Sequence, residues 1–224
     1  MNLIQILNKY KTMVFDNDGV IMGSNNLKTE AFKKALEYED VLLVDEFIRY
    51  HKTFGGVSRF EKFQHFYINI KKEKNYKVKL EEALDKYSSN ALKALMNADL
   101  IPGIENFLEL LKSNNKITHV VSGSDQKELL GVYKARNLIP YFNYVSGSPE
   151  TKNNILKEMI QDSKISFPAV YFGDSKLDYI AAKKHGFDFV FISSKSEWND
   201  GESFCKKMNC LVEPNFIDAN FELN

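Results

Sequence analysis

Apolar positions along the chain follow two rhythms. Five short runs, "KTMVFD" (11–16), "ITHVVSG" (117–123), "YFNYVSG" (141–147), "AVYFGD" (169–174) and "FDFVFIS" (187–193), are rich in β-branched and aromatic residues. Several lack alternation with polar residues, which predicts strands buried on both faces of a parallel sheet. Between them, "GIENFLELLKSNN" (103–115), "DQKELLGVYKARN" (125–137), "NNILKEMIQD" (153–162) and "LDYIAAKKHG" (177–186) carry apolar residues three and four apart. That is the period of an amphipathic helix. Strand–helix alternation of this kind predicts an α/β fold, a doubly wound, Rossmann-like parallel sheet with right-handed crossovers.

Residues 24–96 break that alternation. "TEAFKKALEYE", "VDEFIRYHKTF", "VSRFEKFQHFYINIKK" and "LEEALDKYSSNALKAL" all read as helices, and no strand stands among them. An all-α block after the first strand predicts an inserted helical cap, with 1–23 and 97–224 forming the α/β core. The charge run "KKEKNYKVK" (71–79) predicts a solvated turn between cap helices. The end of the chain is ambiguous: "EWNDGESFCKKMN" fits a loop and short helix, and "CLVEPNF" a short edge strand.

Composition removes several function classes. Hydrophobic residues make up 44% and charged residues 27%, as in an ordinary globular protein. The formal net charge is zero, so no nucleic-acid footprint shows in the total. There is no apolar run long enough to span a membrane and no basic segment leading a sustained apolar stretch at the N-terminus. Cys205 and Cys210 in "CKKMNC" fit neither a C-x-x-C nor a zinc spacing. Two thiols without an export signal predict a reducing, cytoplasmic setting in which they simply pack.

The candidate chemistry starts at "MVFDNDGVIM" (13–22). Asp-Gly between apolar runs is a hairpin turn signal, yet Asp16 and Asp18 also put two carboxylates just past a predicted strand. Ligands of an open parallel sheet bind outside the carboxyl ends of its strands. Asp16-Asn17-Asp18-Gly19 follows the first strand, Ser122-Gly123-Ser124-Asp125 the second, "GSPETKNN" with Lys152 the third, and Gly173-Asp174-Ser175 with Asp178 the fourth. Each group alone has a bland explanation: a helix cap, a solvated lysine or a charge on a helix dipole. Together they would gather acids, a hydroxyl, exposed backbone and a lysine on one edge. An EF-hand is excluded, because a loop starting at Asp16 would need Gly where Ile21 stands.

Two like charges 4 Å apart repel by about 4 kcal/mol at an effective dielectric of 20. Gathering Asp16, Asp18 and Asp174 around a phosphate therefore requires cations. An all-oxygen donor set suits Mg2+, and no His or Cys is placed to favour zinc. Lys152 adds positive charge. Ser122 and the backbone N–H groups of Gly123 and Ser124, at a helix start, form an anion cradle. A metal, a cradle and a spare carboxylate around one phosphate describe phosphoryl transfer.

These motifs resemble those of the haloacid dehalogenase superfamily, in its helical-cap phosphatase, beta-phosphoglucomutase and phosphoglycolate phosphatase branch. "DNDGV" resembles the first motif, Ser122 in "VVSGS" the second, Lys152 in "SPETK" the third, and "GDSKLDYIAAKKHG" the acidic fourth. The resemblance implies Asp16 as a nucleophile forming an aspartyl-phosphate and Asp18 as general acid and base. It further implies Mg2+ held by Asp16, Asp174 and the Asp18 backbone carbonyl, Asp178 behind them, and phosphate held by Ser122, Gly123 and Lys152. In that family the chain after the first motif forms a short flap hairpin, so the turn signal and the catalytic reading can coexist.

"FGGVSRFEKF" (54–63) resembles the cap loop whose Arg grips the far end of a sugar phosphate, which implicates Arg59 and, more weakly, Lys62. Two departures stand out. Lys28 occupies the place of a His that supports the second Asp in the mutases, and Asn17 replaces a common apolar residue. The function implied is a Mg2+-dependent phosphatase of a small phosphorylated metabolite, a sugar phosphate or a phosphoglycolate-like acid. The alternatives are a beta-phosphoglucomutase-like mutase and a non-catalytic phosphate-binding module.

Overall fold

The computed structural model describes residues 3–217. Six strands form one parallel sheet: β1 (Thr12–Phe15), β2 (Ile117–Asp125), β3 (Tyr144–Ser148), β4 (Ala169–Gly173), β5 (Asp188–Ile192) and β6 (Leu211–Glu213). Their order is β3-β2-β1-β4-β5-β6, so the chain winds outward from β1 in both directions. That is the doubly wound α/β architecture which the strand–helix alternation predicts. The ambiguous "CLVEPNF" supplies the edge strand β6.

The helices are α1 (Leu3–Lys9), α2 (Asn25–Ala35), α3 (Val41–Thr53), α4 (Arg59–His65), α5 (Lys77–Asn97), α6 (Ile104–Ser113), α7 (Gln126–Ala135), α8 (Lys152–Gln161), α9 (Lys176–Lys184) and α10 (Gly201–Lys207). Strand side chains alternate between faces, and the core divides accordingly. Met13, Phe15, Val120, Val170 and Phe172 join α1, α6 and α7 on one face. Val14, Val121, Tyr171 and Phe189 join α8, α9 and α10 on the other. Because both faces are covered, β1 is buried along its whole length and needs the continuous apolar run seen in the sequence. Phe15 and Phe172 stack with ring centroids 4.7 Å apart, directly before the acidic turns.

Helices α2–α5 lie between β1 and β2 and build a separate core around Phe32, Phe47, Phe63, Phe66 and Tyr87. The run "VSRFEKFQHFYINIKK" is not one regular helix. After α4 it winds into a π-turn over Phe66–Ile70, with Lys71 N–H bonded to the Phe66 carbonyl. The wider turn carries both Phe66 and Tyr67 into the interior. No helix of the described residues is long and apolar enough to cross a membrane.

Candidate active site

The acidic turns converge because the four strands that carry them are hydrogen-bonded neighbours. Asp16 follows β1 and its N–H still bonds the Phe172 carbonyl of β4 at 2.9 Å. Asp174 follows β4 and is the residue before Ser175, the N-cap of α9. Ser175 and Asp178 form a capping box, which turns the Asp178 carboxylate back toward the strand ends. Lys152 opens α8, capped by Thr151. Its ammonium sits 2.9 Å from Asp16 and 2.6 Å from Asp178.

Asp16, Asp174 and Asp178 offer oxygens that all lie within 4.8 Å of one another, and all three residues are buried. Burial pushes the Asp16 carboxyl up to about 7, with Lys152 pulling it back and Asp178 and Asp18 adding to the rise. Asp174 is driven well above the usual carboxylate range by burial and by the charges of Asp16 and Asp178. The Lys152 ammonium is held above its ordinary range: burial opposes the charge, but Asp16 and Asp178 outweigh it. The cluster thus carries more buried negative charge than Lys152 neutralises. Three carboxylates in need of charge, with no sulfur or imidazole among them, fit a hard divalent cation.

Asp18 points elsewhere. Its Oδ2 accepts from Lys28 Nζ at 2.6 Å and from Ser124 Oγ at 2.9 Å. Its Oδ1 accepts from Ser24 Oγ at 2.5 Å and from Asn17 Nδ2 at 3.1 Å. Burial works to raise this carboxyl, yet Lys28, Ser24 and Ser124 overcome it and hold it below the usual range. Asn17 is itself fixed by the buried Tyr133 hydroxyl of α7, which donates to Asn17 Oδ1 at 2.9 Å. The substitution that departs from the family pattern therefore builds a Tyr133–Asn17–Asp18 strut. The turn behind it is tight: Gly19 has φ +77°, and a Cβ there would stand 2.2 Å from Asp174 Oδ2. Gly19 N–H bonds the Met22 carbonyl at 2.7 Å, and Met22 bridges to both Asp18 and Leu100. The hairpin signal in "DNDGVIM" has this much structural truth.

Ser122 is fully buried, and its hydroxyl donates to Ser124 Oγ at 3.1 Å while accepting from Ser124 N–H. Gly123 lies beneath the helical insertion, where a Cβ would meet the Gly56 carbonyl at 2.5 Å. A cleft between the two layers is lined by Asp16, Asp18, Gly123 and Asp174 from the sheet edge and by Lys28, Arg59 and Lys62 from the insertion. Arg59 is 4% exposed and fully engaged: it donates to both Glu128 oxygens, at 2.7 and 2.5 Å, and to Ser88 Oγ at 2.8 Å. Lys62 bonds His51 Nδ1 at 2.7 Å.

Several participants escape sequence reasoning. Asn25 Nδ2 donates to Asp174 Oδ2 at 2.6 Å, and Glu197 enters the cleft from the loop after β5. Neither carries a motif. Lys28 is visible in the sequence only as the residue standing where the mutases have His.

Known proteins give the site its family. The profile described as haloacid dehalogenase-like hydrolase matches residues 13–192. A protein of Thermotoga maritima, named phosphorylated carbohydrates phosphatase, is 25% identical over 217 residues, covering 92% of this chain and 96% of its own. Among solved structures, a beta-phosphoglucomutase of Clostridium difficile superposes with a TM-score of 0.74 at 20% identity, over 95% of this chain and 94% of the other. A predicted phosphoglycolate phosphatase of Haemophilus somnus gives 0.74 at 17% identity, over 92% and 95%. At such identity the two structures speak for the fold. The profile match spans most of the chain, from β1 to the end of β5, and the chain belongs to the haloacid dehalogenase-like hydrolase family.

Proposed function

We propose that the protein is a Mg2+-dependent phosphatase of small phosphorylated metabolites, phosphorylated carbohydrates foremost, acting through an aspartyl-phosphate on Asp16. The observation that carries this reading is the Asp16 carboxylate at the end of the central strand, with Lys152 2.9 Å away and Asp174 and Asp178 beside it. An Asp16 oxygen attacks phosphorus in line as the bond from phosphorus to the leaving oxygen breaks. Asp18, held ionised here by Lys28, Ser24 and Ser124 against the effect of burial, must first take up a proton, which the negative charge of an arriving phosphate favours. It then gives that proton to the leaving oxygen. In the second half Asp18 takes a proton from water, the new oxygen–phosphorus bond forms, and the bond to Asp16 breaks.

Asp16, Asp174 and the backbone of Asp18 would hold Mg2+, with Asp178 fixing Lys152 behind them. When bound, the ion supplies positive charge against the phosphoryl oxygens and lets the carboxylates remain ionised. Ser122 and the Gly123 and Ser124 backbone frame the phosphate, and Lys152 offsets its charge. The helical insertion acts as a cap over the cleft, shedding water as it closes. Lys28 and the Tyr133–Asn17 strut are positioning groups for Asp18, keeping its carboxylate aimed in a buried site.

The test is phosphate release with Mg2+ from a panel of sugar phosphates and phospho-acids. Asp16→Asn, which keeps shape but not nucleophilicity, is expected to fall to the uncatalysed background while wild type releases phosphate at every turnover. Release by both proteins alike, or by neither, would remove the reading.

A further inference from the structure

The cations of the cleft are not equally available. Lys28 is committed to Asp18 at 2.6 Å, and Lys152, behind the cleft, to Asp16 and Asp178. Lys52, 3.5 Å from Glu197, and Lys176 line the cleft as exposed, solvated side chains. Arg59, the residue that the family pattern assigns to the far end of the substrate, is neutralised by both oxygens of Glu128. Lys62 differs. It is 3% exposed, lines the cleft, and among the described residues has no carboxylate within ion-pair distance.

What holds Lys62 is a chain of groups whose roles follow from the chemistry. As an ammonium Lys62 can only donate, and in that state His51 Nδ1 accepts from it at 2.7 Å. His51 Nε2 then carries the proton and donates to Thr29 Oγ1 at 2.9 Å. The Thr29 hydroxyl is left to donate to Glu197 Oε1 at 3.0 Å. The imidazole stays neutral, since burial and the charges of Lys62, Lys28 and Lys52 hold it well below its ordinary range. The nearest negative charge, Glu197, therefore stands on the far side of the imidazole, its Oε2 3.8 Å from His51 Nε2. The second contact of Lys62, to the His51 carbonyl, is long at 3.4 Å. One of its three N–H groups remains for the cleft.

A buried cation with neutral partners is costly unless an anion completes it. We infer that Lys62, held by His51, is the seat for a second acidic group on the substrate, so that the substrate class is a small phosphate ester also bearing a carboxylate or a second phosphate. This rests on the phosphatase reading above. It reassigns Arg59 from gripping substrate to tying the insertion to α7 through Glu128.

Matched pairs of esters test the seat: 2-phosphoglycolate against 2-hydroxyethyl phosphate for a carboxylate, and glucose 1,6-bisphosphate against glucose 1-phosphate for a second phosphate. A charge-assisted hydrogen bond implies at least about a tenfold preference in kcat/KM, carried by KM, for the acidic member of one pair. The pair that shows it names the acid. Lys62→Met is expected to reduce that preference below about threefold, and Lys62→Arg to keep it. Equal kcat/KM within both pairs in wild type, or a preference undiminished in Lys62→Met, would overturn the assignment; Lys62→Gln replaces the methionine variant if that one fails to fold. A readout without turnover separates the seat from the chemistry. Titration calorimetry of 2-phosphoglycolate and glucose 1,6-bisphosphate into Asp16→Asn should show at least one of them binding about tenfold weaker when Lys62→Met is added. Unchanged affinity for both ligands overturns the seat even if phosphate is released, whereas weakened binding with no release from any ester removes the phosphatase reading alone.

Discussion

Lys62 has a consequence for stability at the scale of a single residue. Burial depresses its ammonium from an ordinary 10.5 to about 7, helped by Lys28 and Lys152 and opposed by Glu197 and Asp18. Lys52 also lines the cleft, and His51 stays neutral throughout. The sign follows from proton counting. Between about pH 7 and 10.5 the unfolded chain binds a proton here that the folded chain does not, so stability rises with pH across that window. Below about 7 both states are charged and the cost of burying the cation is constant. The urea midpoint of wild type should rise relative to that of Lys62→Met as pH climbs through this window. A difference independent of pH would contradict the burial argument. The same scale shows what the sequence could reveal. Asp16, Asp18, Ser122, Lys152, Asp174 and Asp178 stand out by spacing after predicted strands. Asn17 does not, because its meaning lies in Tyr133, a partner more than a hundred residues away.

At the scale of elements, strands and core helices were legible because each carries its own period. The α7 boundary could be placed because Asp125 accepts from the Lys127 and Glu128 N–H groups as a local cap. Helix α1 is seven residues long, with Leu3, Ile6 and Leu7 inward, too short for its period to stand out. The π-turn after α4 leaves no periodic signature either; within it Phe66 packs edge-on against Phe47 and Tyr67. Pairings between elements were invisible altogether. Arg59 of α4 and Glu128 of α7 are each locally ordinary, yet their two-pronged contact is buried at 4% and 17% side-chain exposure. Removing one partner leaves the other charge stranded. Glu128→Gln and Arg59→Met are each expected to lower unfolding free energy by about 2–4 kcal/mol. The double variant should cost less than the sum, giving a coupling above about 1 kcal/mol in a denaturant double-mutant cycle. Additive losses would mean that the pair contributes nothing as a pair.

Across the whole molecule, the insertion and the sheet meet at a contact that has no room for a side chain. A Cβ on Gly123 would stand 2.5 Å from the Gly56 carbonyl, and Gly56 sits in turn over Ser175 and Lys152 with φ +83°. Gly123→Ala should therefore displace the insertion from the sheet edge rather than unfold either layer. Limited proteolysis near residues 54–58 should quicken, with thermal stability falling by only a few degrees. Cleavage unchanged from wild type would show that the layers can absorb a methyl group at this contact.

Strand β1 is hydrogen-bonded on both sides and buried on both faces. Openings that cost little occur at frayed ends and exposed edges, and Asp16, the proposed nucleophile, is attached to neither. Asp16 is anchored at the end of this interior strand, its amide tied to β4. The residues that would choose the substrate hang from a separate helical layer with its own core. Apart from Lys28 and Asn25, whose bonds to Asp18 and Asp174 tie α2 to the sheet edge, the insertion can drift in sequence or be rebuilt while the proposed phosphate-transfer centre stays put. Evolution of a new specificity here need not pass through loss of the reaction.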